Sequence, residues 1–185
     1  MILRPEFRNE AQLNESNATI ENILITIGGS DFRQILPSII ESCLAAEIAN
    51  IKVIAPTDAG KFQQDSRITV LPLRNAASMY TLMLEADVVI SACGQTLHEL
   101  SVIGRPIVGI CLDIDQRPNQ EYYLKEEVLQ LDIKWDDADL KEKTRKNIDM
   151  LQSQEVRHSI IQKAQSLVNK DGVNIFVKYV KEISK

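Results

Sequence analysis

Six short runs rich in isoleucine, valine and leucine recur along the chain, and segments with apolar residues at helical spacing separate most of them. These runs predict β-strands at residues 22–27, 51–54, 68–71, 87–91, 107–111 and 132–135. Because strands joined by helical crossovers run parallel, we expect one parallel sheet with helices on both faces. The sequence therefore predicts the α/β class and a Rossmann-like fold.

The segments between the strands predict the helices. They cover residues 32–49, 79–85, 95–103, 119–129, 138–151, 155–168 and 173–183, whereas residues 57–66 are polar and predict a loop or short helix. Residues 1–20 show no regular periodicity and are interpreted as a hinge or linker. Since 185 residues can bury one continuous core, residues 21–185 are predicted to form one domain that ends in a helical tail.

Charge and cysteine content exclude several classes of protein. The net charge is −5 and no basic stripe carries interleaved aromatic residues, which argues against nucleic-acid binding. Three widely spaced cysteines predict neither a disulfide framework nor a zinc site, and they favour a reducing cytoplasm. No apolar run approaches the roughly 20 residues of a membrane-spanning helix. We therefore expect a cytoplasmic protein without a membrane span, a metal or a cofactor.

Small residues follow two of the predicted strands. Gly28, Gly29 and Ser30 follow the first strand, and Gly94 lies between the fourth strand and a helix. Ligands of parallel α/β sheets bind at the carboxyl ends of strands, and a helix N-terminus favours an anion. These turns predict a phosphate site, although local chemistry alone favours a tight turn with a helix cap at Ser30 or Asp31 for the first one.

Three segments, taken in order, resemble one family. They are residues 3–8 (LRPEFR), residues 25–31 (ITIGGSD) and residues 83–92 (MLEADVVISA), the last followed by Gly94, Thr96 and Glu99. The family is the UDP-2,4-diacetamido-2,4,6-trideoxy-β-L-altropyranose hydrolase of pseudaminic acid biosynthesis, with related spore-coat polysaccharide biosynthesis proteins. Its wider relatives are GT-B glycosyltransferases similar to the UDP-N-acetylglucosamine transferase of lipid II synthesis. The chain is similar to the carboxyl-terminal half alone.

The resemblance implies that the chain binds a UDP-sugar together with an amino-terminal Rossmann-like domain, absent here or separately encoded. That domain would carry the histidine that activates water, so neither His98 nor His158 inherits a catalytic role. The implied contacts of this half divide among the parts of the ligand. They are Gly28, Gly29, Ser30, Gly94, Gln95 and Thr96 for the diphosphate, Glu99 for the ribose, Ser78 and Met79 for uracil, and Asn119 and Gln120 for the sugar.

Each candidate residue has a simpler structural alternative. Glu99 is also the kind of acid that interacts with the dipole in the early turns of a helix, and His98 is expected to pack or face solvent. Cys93, which with Gln95 replaces smaller residues common in the family, is interpreted as a buried thiol. Asp113 and Asp115 lack further ligands at regular spacing, so we expect no metal there.

Three functions remain open at this point. The first is the UDP-sugar-binding half of a hydrolase in polysaccharide or surface-glycan biosynthesis. A GT-B glycosyltransferase domain that uses a UDP-sugar donor is the second, and it differs in whether an acceptor replaces water. The third is a non-catalytic module that binds a UDP-sugar.

Overall fold

The computed structural model describes residues 3–8, 17–55, 65–169 and 171–183. Its six strands are β1 (Asn22–Thr26), β2 (Asn50–Ile54), β3 (Ile68–Leu71), β4 (Val88–Ala92), β5 (Ile107–Cys111) and β6 (Ile133–Lys134). The helices are α1 (Leu36–Ala45), α2 (Ala76–Glu85), α3 (Gln95–Val102), α4 (Arg117–Lys125), α5 (Leu140–Leu151), α6 (Gln154–Leu167) and α7 (Gly172–Ile183). Most of the predicted segment 57–66 and residues 9–16 lie outside the described ranges.

The strands form one parallel sheet in the order β3-β2-β1-β4-β5-β6. Every residue of β4 and β5 is buried. Since successive side chains of a strand point to opposite faces, both faces of the sheet are covered; α1 packs against α5, and α3 against α6. The predicted fold class is therefore confirmed.

The direction in which successive strands are added to the sheet reverses between β1 and β4, although all six strands are parallel. The chain builds outward from β1 through β2 to β3, then returns to pair β4 with the other side of β1. Loops that leave adjacent strands at such a point diverge to opposite sides and leave a crevice at their carboxyl ends. The fold thus puts the loops after β1 and β4 beside one crevice.

Two helices begin at residues that periodicity did not indicate. The Asp31 carboxylate accepts the amides of Ile35 and Leu36 at 2.9 and 3.1 Å, so residues 31–35 form a loop and α1 begins later than predicted. Asn75 caps α2 by accepting the Ser78 amide at 2.9 Å, which starts that helix earlier than predicted. Local side-chain caps therefore set both boundaries.

The segment predicted as a hinge packs against the domain. Pro5–Phe7 forms a 3-10 turn, and Leu3 and Phe7 are buried. The Phe7 ring meets Tyr80 of α2 edge-on, with 5.3 Å between ring centroids. Residues 3–8 are therefore anchored beside α2, and the boundary at residue 20 stays a prediction.

Helix α7 differs from the other helices because its apolar side chains face solvent. Within the described residues only its first residue, Gly172, is buried. Six large apolar residues of the helix are at least 38% exposed, namely Ile175, Phe176, Val177, Tyr179, Val180 and Ile183. The helical tail predicted from the sequence is confirmed as a helix, but its apolar face does not pack on the domain.

We expect Gly104→Ala to lower the free energy of unfolding by about 1–2 kcal/mol. Gly104 has a φ of +66°, and an added Cβ would lie 2.9 Å from Gln165 Nε2 and 3.2 Å from Ile161 Cγ2. Urea unfolding measures the effect. Gly29→Ala is the control because its Cβ meets no atom within 4 Å; equal stabilities for the two variants would contradict the prediction.

Candidate functional site

The two turns predicted to hold a phosphate lie side by side. Thr26 of β1 is in register with Ser91 of β4, and paired strands are about 4.8 Å apart. Gly28 and Gly29 therefore follow one strand tip while Gly94 follows the adjacent one. Gly28 has a φ of +104°, which only glycine adopts readily. The structure thus brings the two turns together at the crevice between β1 and β4.

The turn after β4 leads directly into α3. Gly94 is the residue before the helix and has no side chain to cap it, and its carbonyl accepts the Leu97 amide at 3.1 Å. Gln95 is exposed and Thr96 half-buried at the first positions of the helix. Because the amides and dipole of a helix N-terminus favour negative charge, this end of α3 suits an anion.

The backbone of the two glycine turns has little protein packed against it. A Cβ at Gly28 or Gly29 would meet no atom within 4 Å, and a Cβ at Gly94 would only approach Gln116 Nε2 at 4.0 Å. The backbone of both turns is therefore open to a ligand. Ser30 is also exposed, and Asp31 rather than Ser30 accepts the amides at the start of α1.

Glu99 lies in the middle of α3 and is completely buried. The Arg4 guanidinium donates to both carboxylate oxygens, with Nε–Oε1 at 2.6 Å and Nη2–Oε2 at 2.5 Å. This hydrogen bonding raises the pKa of Arg4. Arg4 also lies 4.9 Å from the centroid of the Phe7 ring. Glu99, the residue predicted to bind the ribose, thus forms an ion pair with Arg4 of the segment predicted as a hinge.

Ser78 and Met79, the residues predicted to contact uracil, lie in the first turn of α2. The Ser78 amide bonds to the Asn75 side chain, and the Met79 amide bonds to the Asn75 carbonyl at 2.9 Å. Met79 belongs to the core, with 7% of its surface exposed. Both amides are used within the protein, so a base placed here would contact other groups of these residues. The uracil contact stays a prediction.

The residues predicted to contact the sugar lie on α4 and bond within the protein. Asn119 Nδ2 donates to the Cys93 carbonyl at 3.1 Å, which ties α4 to the turn after β4. Gln120 is completely buried; its Nε2 donates to the Ile133 carbonyl at 2.7 Å and its Oε1 accepts from Arg117 at 2.8 Å. These bonds hold α4 against β6 and the turn after β4, while the sugar contact itself stays a prediction.

A cavity of about 410 Å³ at the same edge of the sheet was not predicted from the sequence. Its walls include Trp135, Ile114 and Arg33, and the Arg33 guanidinium lies 4.0 Å from the Trp135 ring centroid. Arg33 also donates to the Leu112 carbonyl at 3.1 Å. The loop after β1 is thereby fastened to the loops after β5 and β6. Arg33 and Trp135 are 102 positions apart in sequence, so no local motif could indicate this contact.

The Cys93 thiol is unreactive, and the Asp113 carboxylate is bonded within the protein. Burial raises the pKa of the Cys93 thiol, which keeps it protonated and weakly nucleophilic. Asp113 pairs with Arg33 at 3.2 Å and caps the turn at Ile114. Among the described residues, no three or more His, Cys, Asp or Glu side chains form a group that could hold a metal.

His98 precedes Glu99 in sequence, but its side chain packs against Tyr123 of α4. Its Nδ1 lies 2.8 Å from the Tyr123 hydroxyl, and Ser101 donates to the same hydroxyl at 3.2 Å. Burial lowers the pKa of His98 from 6.5 to about 4. Neutral His98 can accept from the tyrosine, so the side chain packs in the uncharged form. Of the two alternatives expected from the sequence, packing or exposure to solvent, the structure shows packing.

Acid should therefore weaken the fold through His98. The unfolded state binds a proton below pH 6.5, whereas folded His98 stays neutral to about pH 4. Stability from this residue is complete above pH 6.5 and is lost as the pH falls to 4, by about 2 kcal/mol with allowance for partial exposure. Urea unfolding of wild type and His98→Gln at both pH values tests this; parallel losses in the two proteins would refute it.

Within the ranges that the structure describes, no helix has the length and apolar character needed to cross a membrane.

Comparisons with known proteins agree with this architecture. The sequence profile of the Glycosyltransferase family 28 C-terminal domain matches residues 22–173. An uncharacterized protein of Methanocaldococcus jannaschii is 30% identical in an alignment of 140 residues that covers 68% of this chain and 28% of that protein. The chain therefore spans less than a third of this curated relative's length.

Solved structures show the same fold at low sequence identity. MurG of Acinetobacter baumannii superposes with a TM-score of 0.68 and 17% identity over 96% of this chain and 52% of that one. The glycotransferase of kitacinnamycin gives 0.63 and 16% over 97% and 47%. About half of each of these proteins corresponds to this chain. Since the profile matches most of the chain, the protein belongs to the family of glycosyltransferase family 28 C-terminal domains.

Proposed function

We propose that the chain is the nucleotide-sugar-binding half of an enzyme that uses a UDP-sugar. The observation that carries the proposal is the placement of Gly28, Gly29 and Gly94 on neighbouring strand tips at the crevice between β1 and β4. Open backbone at one tip and a helix N-terminus at the other favour a diphosphate between them. Ser30, Gln95 and Thr96 would complete its surroundings.

The remaining parts of the ligand would extend along the same edge. Uracil would lie towards Ser78 and Met79 at the start of α2, and the ribose towards Glu99. The sugar would lie towards Asn119 and Gln120 on α4, and the first residue of that helix, Arg117, lines the cavity of about 410 Å³ beside Trp135. Aromatic and polar side chains together are the lining expected of a small-molecule pocket.

The chemistry of the whole enzyme would break the bond between the sugar C1 and the diphosphate. Amides at the two turns would stabilise the negative charge that develops on the departing UDP. With water as the nucleophile the enzyme is a hydrolase, as the resemblance of residues 3–8, 25–31 and 83–92 implies. The membership of glycosyltransferase family 28 favours the second candidate, in which an acceptor hydroxyl attacks C1. In both cases the residue that activates the nucleophile would come from an amino-terminal domain.

Titration calorimetry with UDP, uridine and ADP tests the binding proposal. We expect UDP to bind at least tenfold more tightly than uridine, because the diphosphate contacts both turns. ADP should bind more weakly than UDP if the base lies against α2. Equal affinity for UDP and uridine would contradict a diphosphate site.

A second assay tests the assignment of the chain as half of an enzyme. Incubation with a UDP-sugar such as UDP-N-acetylglucosamine should release no UDP, since no catalytic residue is assigned to this half. Measurable hydrolysis by this chain alone would overturn that assignment.

A further inference from the structure

The Arg4–Glu99 pair closes the position proposed for the ribose. The exposed fraction of the Glu99 side chain is 0%, while that of Arg4 is 40%. Both carboxylate oxygens are within 2.6 Å of the Arg4 guanidinium. A diol could bond to this carboxylate only after the arginine moves, because no surface of Glu99 is open to a ligand in this arrangement.

Arg4 can move without dismantling the fold around it. Leu3 packs in a small apolar cluster with Val102 and Val168, and Phe7 packs on Tyr80. These contacts hold the backbone of residues 3–8 in place on either side of Arg4. The Arg4 side chain is already 40% exposed, so rotation into solvent removes its bonds to Glu99 and leaves the anchors of the segment buried.

We propose that Arg4 is a displaceable latch on the nucleotide site, which competes with the ribose hydroxyls for the Glu99 carboxylate. This inference rests on the proposed function. Charge-assisted, two-pronged bonds of this kind are strong, so the latched form lowers the apparent affinity of the chain for UDP. Nucleotide binding would release Arg4 from α3, and by linkage any event that pulls Arg4 away would strengthen nucleotide binding.

Arg8 offers a matched control on the same segment. It carries the same charge, but it donates to the Leu3 carbonyl at 2.9 and 3.1 Å and makes no bond to Glu99 among the described contacts. Arg8→Ala therefore removes one positive charge next to the site without opening Glu99. Comparison with Arg4→Ala separates release of the latch from loss of attraction for the diphosphate.

Titration calorimetry of wild type, Arg4→Ala and Arg8→Ala tests the latch. We expect Arg4→Ala to bind UDP at least fivefold more tightly than wild type, and Arg8→Ala to bind it no more tightly than wild type. The gain should vanish with 2′,3′-dideoxyuridine diphosphate, which lacks the hydroxyls that would reach Glu99. If Arg4→Ala does not fold, Arg4→Gln and the Nε–H nuclear magnetic resonance signal of Arg4 in the wild type replace it, and UDP should shift that signal.

The possible results distinguish failure of the latch proposal from failure of the proposed nucleotide site. Binding of UDP to the wild type with equal or weaker binding to Arg4→Ala, or an Arg4 Nε–H signal that UDP does not shift, would overturn the latch and leave the nucleotide site standing. Absence of UDP binding to wild type and Arg4→Ala alike would overturn both.

Discussion

Replacement of Arg157 by alanine is expected to lower the free energy of unfolding by about 3–4 kcal/mol. Arg157 on α6 is completely buried. Its Nη1 donates to the carbonyls of Leu151 and Gln152 at 2.6 and 2.9 Å, at the end of α5. Its Nη2 donates to the carbonyls of Asn17 and Ala18, which precede β1.

The size of this effect follows from what the alanine variant leaves behind. Four carbonyls lose their donor, a cavity replaces a large side chain, and the negative end of α5 loses a cation. Burial lowers the pKa of Arg157, but the acceptors around it still favour a charged donor. The arginine thus joins the segment before β1 to the last turn of α5.

Urea unfolding measures the loss, with Arg145→Ala as the control. Arg145 is half exposed and its ion pair with Asp149 is 3.7 Å long, so its removal should change stability by less than about 0.5 kcal/mol. Arg157→Lys should recover only part of the loss, because one ammonium group cannot reach both segments. An Arg157→Ala protein as stable as the Arg145→Ala protein would show that Arg157 does not stabilise the fold by joining these two segments.

Replacement of Gly29 by valine is expected to weaken UDP binding at least tenfold while the fold remains intact. A Cβ at Gly29 meets no protein atom within 4 Å, so the added side chain has room in the folded chain. It would project from the turn after β1 towards the space proposed for the diphosphate. Close approach of backbone to phosphate is the reason for glycine at such a turn.

Calorimetry with UDP and a thermal melt of the same variant measure the two effects separately. The melting temperature should stay close to that of wild type, and Gly29→Ala should give an intermediate affinity. Ala18→Val adds an apolar branch at the opposite edge of the sheet, before β1, and serves as the control for a general effect of surface valine. Wild-type affinity in Gly29→Val would place the diphosphate elsewhere.

The strands were predictable because burial on both faces of a parallel sheet demands local runs of apolar residues. β3 and β5 match their predicted bounds, β1 ends one residue earlier than predicted, and β4 is shifted by one residue. The same reasoning places the Gly28 and Gly94 turns at one edge of the sheet, whereas their adjacency depends on the pairing of β1 with β4, which the strand order shows. Helix starts at Leu36 and Ala76 were less predictable because single side-chain caps determine them.

Long-range polar pairs were beyond prediction from one sequence. Arg4 and Glu99 are separated by 95 positions, and Arg157 and Asn17 by 140. Nothing in the local sequence around Gln120 indicates that its amide is buried between the Arg117 guanidinium and the Ile133 carbonyl. Such contacts depend on which elements the fold brings together, so the roles of these side chains emerge only from coordinates.

An amide nuclear magnetic resonance titration with UDP determines whether the turns after β1 and β4 bind one diphosphate. We expect the largest shifts to fall together on the amides of Gly28, Gly29, Gly94 and Thr96. Gly172, on α7, should not move. Shifts confined to the open depression along α6, at Glu155 and Ser159, or no shift at millimolar UDP, would contradict this expectation.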